Sequence, residues 1–287
     1  MMSPALAEAA ILAVFGALVG SFLNVVIHRL PRMLERRWKQ ECEALQADTG
    51  NGVPETASPG EAYNLVLPRS ACPHCGHQIR WYENIPLISY AFLRGRCSSC
   101  ATSISLRYPL VELCTALLFA WCGWRWGLSW ETLAWAGFAA ALVALTGIDW
   151  DTTLLPDDIT LPLLWAGLVL SAMGVLQVSL SDALWGAVGG YLSLWLVYWA
   201  FRLVTGKEGM GYGDFKLFAA LGAWFGWSAL VPLILMASVI GAITGIAIKL
   251  FGQLREGGYV PFGPFLALAG LTAMIAGADS ILAAIGL

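Results

Sequence analysis

Hydrophobic residues in this chain fall into blocks of about twenty, the length that crosses a hydrocarbon core of ~30 Å. The first block, residues 5–27, runs into the basic stretch "HRLPRMLERRWK". Polar residues then dominate to residue 107. From 108 onward the chain is almost continuously apolar, broken at "GWRWGLSW", "DWDTTLLPDD", "SLSD", "RLVTGKEGMGYGD", "GWSA" and "KLFGQLREGGYVP". These breaks predict spans near 108–126, 131–149, 160–178, 182–204, 214–229, 230–249 and 263–285. The stretch 214–249 reads either as one long helix or as two, the second starting near Pro232. The first ten residues lack a basic n-region and no small-residue cleavage site follows, so the first block reads as an uncleaved span. The expected fold is an all-α membrane protein of about eight transmembrane helices, with a small insert between spans one and two.

Composition agrees with the pattern. Hydrophobic residues make up 58% and charged residues 12%, with a mean hydropathy of +0.69. A soluble domain carries roughly a quarter charged residues, so an integral membrane protein is indicated. The net charge of −3 gives no reason to expect a nucleic-acid partner. The placement of the 16 Lys and Arg residues is more telling, because ten fall in 28–107. Cytoplasmic loops are enriched in these residues. With eight spans and a cytoplasmic 28–107, only Arg125 lies on the outer side, whereas merging 214–249 would add Lys249 and Arg255 there. The two-span reading is favoured, and both termini then face outward. Trp121, Trp124, Trp126, Trp130 and Trp227 gather at outer turns, where interfacial aromatics belong.

This topology brings two acids to one depth. Asp149 ends the third span and Asp214 starts the sixth, both at the inner edge. An aspartate at a span end is often only a solvated residue or a helix cap favoured by the dipole. For Asp214 that reading is weakened by Gly209, Gly211 and Gly213, since alternate glycines permit close approach of another chain. In "TGIDWDTTLLPDD", Asp149 follows directly on the apolar helix, while Asp151, Asp157 and Asp158 fall in the loop. Glu112 lies near an inner span end, and Glu131 and Asp182 lie at the outer edge. Two close carboxylates can share a proton, so that one activates water and the other donates to a scissile carbonyl. Lys216 reads as an anchor at the cytoplasmic edge, and His28 as an interfacial residue.

The cysteines form a second constellation. Cys72 and Cys75 make one C-x-x-C and Cys97 and Cys100 another, with 21 residues between the inner two. Four thiolates in two knuckles suit tetrahedral Zn²⁺ with no open position, so the metal would be structural. Stable disulfides are disfavoured in a reducing cytoplasm, and redox-active or free thiols remain the alternative. His74 and His77 read as neighbours of a complete Cys₄ set. Cys42 reads as a free surface thiol, and Cys114 and Cys122 as small packing residues. The insert is thus expected to be a zinc-binding cytoplasmic domain over 28–107. The first span is 1–27, and 108–287 forms a multi-span domain that carries both aspartates.

"GYGDFK" at 211–216 with "IDWDTTLLPD" at 148–157 resembles the type IV prepilin peptidases, intramembrane aspartic proteases of the GxGD class. The likeness extends, in order, through "GSFLNVVIHRLP", "RSACPHCGHQIRWYENIPLISYAFLRGRCSSC", "ISLRYPLVEL" and "PFGPFLALAG". The resemblance implies catalytic Asp149, seven residues before the proline of "LPD", and catalytic Asp214, with Gly211 and Gly213 as motif glycines. It implies removal of a short basic leader from prepilins and pseudopilins, after a glycine and before a residue that is usually phenylalanine. The site would lie at the cytoplasmic face of a bacterial inner membrane, with both termini periplasmic. The long 28–107 segment further implies N-methylation of the new terminus with S-adenosylmethionine. The residues that bind this donor are not evident: Glu83 and Asn84 are candidates, and a purely local role in the cysteine module is the alternative. Two other classes stay open, a polytopic transporter with carboxylates on an ion pathway and a noncatalytic assembly scaffold. A transporter would more naturally carry mid-bilayer carboxylates and internal repeats.

Overall fold

A computed structural model describes residues 3–48, 63–251 and 260–285. Ten α-helices occur among these residues: α1 (Pro4–Asp48), α2 (Ile88–Phe92), α3 (Arg107–Trp126), α4 (Trp130–Thr152), α5 (Asp157–Ala172), α6 (Leu180–Thr205), α7 (Tyr212–Phe225), α8 (Leu230–Phe251), α9 (Gly263–Ala276) and α10 (Ala278–Ile285). Outside helices, strand-like pairing among the described residues is limited to two isolated bridges, Ala71 with Gln78 and Arg96 with Ser103. The chain separates into two compact units, one of Ala9–Trp121 and one of Cys122–Leu287 with Met1–Glu8.

The all-α membrane class holds, but the expected count of eight spans does not follow from helix length and apolarity. Among the described residues, four helical stretches are long and apolar enough to cross: Pro4–Gln46, Trp130–Thr152, Leu180–Thr205 and Trp227–Leu250. α5, α7 and α9 have 16, 14 and 14 residues, or roughly 21–24 Å at 1.5 Å per residue. α3 has 20 residues but carries Arg107, Glu112 and Arg125. The expected span 263–285 is divided at Gly277, whose φ of +85° suits glycine. α1 does not stop at the basic patch near residue 28. It continues through Pro31 to Asp48, because residues 33–46 are rich in helix-forming Leu, Glu, Arg, Lys and Gln. The Gly/Pro/Thr/Ser stretch at 49–60 and Arg255 lie outside the described residues. The ambiguous stretch 214–249 is broken at Gly226, with φ +83°. A 3₁₀ turn over Trp227–Ala229 follows, and α8 begins at Leu230, where the predicted span 230–249 starts.

In the unit Ala9–Trp121, α1 lies close against α3 through "GALVG" at 16–20. A β-carbon at Gly16 would stand 2.7 Å from Phe119 Cβ, and one at Gly20 would stand 2.7 Å from Glu112 Cα. Small residues one turn apart allow such backbone approach in apolar helices. The Asn24 amide donates to the Tyr108 carbonyl at 3.1 Å, joining the same two helices.

In the other unit, α7 is the buried centre, with every residue from Leu217 to Trp224 apolar and buried. α6 meets it backbone to backbone: β-carbons at Gly186 and Gly222 would each strike the other's carbonyl oxygen. On the α5 side, the Trp224 ring covers Gly167 and its Nε1 donates to the Leu163 carbonyl at 2.8 Å. Aromatic side chains tie the start of α4 to the end of α7, with Phe138 5.5 Å from Phe225 and 4.7 Å from Trp224 between ring centroids. Trp126 stacks on Trp135 at 5.7 Å in this cluster, so it serves internal packing rather than only an interface. The antiparallel register of α4 and α7 follows. Asp149 stands eleven positions after Phe138, and Phe225 eleven positions after Asp214. Both intervals rise about 16 Å, so fixing the aromatic end brings the two aspartates level at the other.

Candidate active site

Asp149 sits in the last full turn of α4, which ends at Thr153 in a left-handed conformation. Asp214 sits in the first turn of α7, where its Oδ2 accepts from the Gly211 backbone N–H at 3.2 Å. Each is only 4% exposed, and the two carboxylates are close enough to interact electrostatically. Asp149 Oδ2 and Asp214 Oδ1 are buried without a hydrogen-bond partner. A buried polar atom without a partner carries a desolvation cost of roughly 1–3 kcal/mol or more. Two such atoms on adjacent carboxylates mark a place built to receive donors. Asp151, Asp157 and Asp158 are exposed, so of the four neighbouring acids only Asp149 turns inward.

A third element closes the site. The Gly263 backbone N–H at the start of α9 faces the Asp149 carboxylate. A β-carbon at Gly263 would stand 2.5 Å from Asp149 Oδ2 and 3.1 Å from both Leu155 methyl groups. Leu155 also fills the space beside Gly213, where a β-carbon would stand 2.7 Å from Leu155 Cβ. Gly213 is thus small to admit a side chain of its own protein. Gly209 likewise accommodates the Phe201 ring, while Gly211 is uncrowded and contributes its N–H. Lys216 is more than an edge anchor. Its Nζ donates to both Asp157 oxygens, at 2.6 and 2.7 Å, and joins the first turns of α5 and α7 beside the aspartates.

The cysteine module belongs to the other unit. Cys72 and Cys100 sulfurs are 3.8 Å apart and Cys75 and Cys97 sulfurs 4.0 Å, and all four ligand atoms lie within 4.8 Å of one another. A tetrahedron with Zn–S bonds of 2.3 Å has edges of about 3.8 Å. The two knuckles share one backbone plan. The Gly76 N–H bonds the Cys72 carbonyl and Ala101 the Cys97 carbonyl, at 2.9 and 3.0 Å, and Gly76 and Ala101 both have positive φ. The Thr102 hydroxyl and backbone hold the Cys100 thiol down to about 6, favouring the thiolate. His74 is exposed, and His77 is turned toward Glu83, 3.2 Å from its carboxylate, and toward Ser98. Neither histidine is needed in the ligand set. Cys42 is exposed and Cys122 buried as expected, but Cys114 is exposed on α3.

Residues 14–126 match the bacterial peptidase A24 N-terminal domain, and residues 136–246 match the type IV leader peptidase family. A "prepilin leader peptidase/N-methyltransferase" of Stutzerimonas stutzeri is 54% identical over 92% of this chain and 89% of its own length. The chain belongs to the type IV leader peptidase family. Relatives with the same name in Pseudomonas aeruginosa and Aeromonas hydrophila are 55% and 54% identical, over 91% and 93% of the chain and 88% and 90% of their own lengths. No solved structure matches the chain significantly. Within this leader peptidase both aspartates fall inside the matched segment 136–246, while Gly263 lies beyond it. Sequence reading of "PFGPFLALAG" gave Gly263 no role. The signal for one was the Gly-Pro at a helix start, where free N–H groups face a carboxylate.

Proposed function

We propose that this chain removes the leader of prepilins and pseudopilins with Asp149 and Asp214, and N-methylates the new terminus with S-adenosylmethionine. The buried carboxylate pair with two unpartnered oxygens carries the peptidase reading. One carboxylate takes a proton from water as its oxygen attacks the scissile carbonyl, while the other gives its proton to the carbonyl oxygen. Breakdown of the resulting diol returns a proton to the leaving nitrogen as the C–N bond breaks. In the methylation, the new amine forms a bond to the methyl carbon, the methyl–sulfur bond breaks with its electron pair left on sulfur, and the amine loses a proton.

The four cysteines would hold a structural zinc that orders 70–103, and their spacing leaves no position for substrate. For orientation, Arg202, Lys207 and Lys216 lie at the carboxylate end of α6 and α7, which supports a cytoplasmic active-site face. Glu8 lies against Gly127 at the opposite end of α4, and α9 starts at Asp149 and runs away from it. Both observations support periplasmic termini. The transporter reading is disfavoured because the carboxylates sit at helix ends.

The test is incubation of the detergent-solubilised protein with a prepilin-like peptide and labelled S-adenosylmethionine. Wild type should cleave and then methylate, whereas Asp149→Asn and Asp214→Asn should each lose cleavage by about a hundred- to ten-thousandfold. Cleavage at wild-type rate by either variant overturns the two-aspartate mechanism.

A further inference from the structure

The unit without the aspartates holds a cavity of about 770 Å³, formed within residues 77–99. Its size is that of a small-molecule site, generally 300–1,000 Å³ with a mostly apolar lining and a few polar groups. Apolar walls come from Ile88 and Phe92, and polar groups from Arg80, Tyr82, Glu83 and Ser99. Phe92 is 85% exposed and Ile88 54% exposed, so two large apolar side chains beside a polar cluster lack cover. The wall is also rigidly set. Glu83 accepts the Arg80 backbone N–H at 2.8 Å, and the Arg80 guanidinium donates to the Tyr82 hydroxyl at 2.6 Å. Between Ile85 and Ile88, Leu87 is held at φ +60°, strained for a leucine, with its N–H on buried Glu112 of α3 at 2.8 Å. Strain retained by surrounding structure concentrates at ligand-binding sites.

We infer that this cavity is the S-adenosylmethionine site. The inference rests on the methyltransferase half of the function proposed above. The donor set fits the ligand group by group. Glu83 accepts hydrogen bonds from the ribose hydroxyls, as acidic side chains do in nucleotide sites. The Arg80 guanidinium matches the methionyl carboxylate, and Tyr82 and Phe92 cover the adenine or the sulfonium. Zinc is kept apart from this chemistry, since none of the four cysteines that would hold it lines the cavity. Asn84, the other sequence candidate, is exposed and is not part of the lining.

Equilibrium dialysis of the full-length solubilised protein with labelled S-adenosylhomocysteine tests this, with ultraviolet cross-linking of labelled S-adenosylmethionine as a map. Wild type should bind saturably, and label should fall on the tryptic peptide 81–94, which contains Tyr82, Glu83 and Phe92. Glu83→Gln keeps an acceptor for the Arg80 N–H, and Phe92→Ala alters an exposed side chain, so both should fold and retain zinc. Each should weaken binding at least about tenfold. If wild type binds and both zinc-loaded variants bind equally well, or the label lies outside 77–99, the cavity is wrong although the methyltransferase reading survives. If wild type binds no nucleoside, that reading fails and the cavity fails with it.

Discussion

Replacing Gly263 with alanine puts a β-carbon 2.5 Å from Asp149 Oδ2 and 3.1 Å from Leu155, so the carboxylate or the start of α9 must move. A displacement of about 1 Å can cost a catalytic site a hundredfold in rate. Gly263→Ala is therefore expected to lower kcat for leader cleavage by about that factor, with a much smaller change in KM, because it shifts a reacting group. Steady-state kinetics on a prepilin peptide separates the two parameters. At this scale the sequence was legible where chemistry demands a residue type. Asp149 stood out among four acids by following the apolar helix, and the two C-x-x-C pairs announced four thiolates. Gly263 was not legible, because its importance lies in a contact with a side chain 114 positions earlier. The same holds for Lys216, whose partner Asp157 is 59 residues away and could equally have been solvated.

Helix pairing sets the height of those side chains. α6 and α7 touch through Gly186 and Gly222, and any larger residue there forces the helices apart. Gly222→Leu should therefore destabilise the fold by several kcal/mol, in the range of severe overpacking. Thermal unfolding in detergent should register it, together with loss of cleavage. The Lys216–Asp157 link behaves differently, with side chains 28% and 53% exposed. Partly exposed pairs contribute about 1 kcal/mol or less, so Lys216→Met should barely move the melting temperature. If the link positions the first turn of α7, Lys216→Glu should reduce cleavage and the double variant with Asp157→Lys should recover it. Element boundaries were harder to read than elements. Hydropathy marked the apolar blocks, but Gly226 and Gly277 end helices inside them through positive φ, which a hydropathy window does not register. The continuation of α1 past residue 28 is the reverse case, since polar residues on an exposed helix look like a loop by hydropathy alone.

The two compact units divide the chemistry as well as the chain. Asp149, Asp214, Leu155 and Gly263 all belong to one, and the four cysteines and the cavity to the other. Stripping zinc, or changing Cys72 and Cys97 to serine, should therefore reduce methylation far more than cleavage. Metal analysis beside the two activity assays checks this, with about one zinc per wild-type chain as the reference. Equal loss of both activities would show that the thiolate module also supports cleavage. The matching intervals of eleven residues in α4 and α7 carry a further consequence. Removing one residue from either interval turns its aspartate through about 100° and lowers it by about 1.5 Å. Side chains within these intervals can be exchanged for others of similar volume. The intervals themselves cannot change length independently, so any lineage that resizes one helix has to resize the other in step.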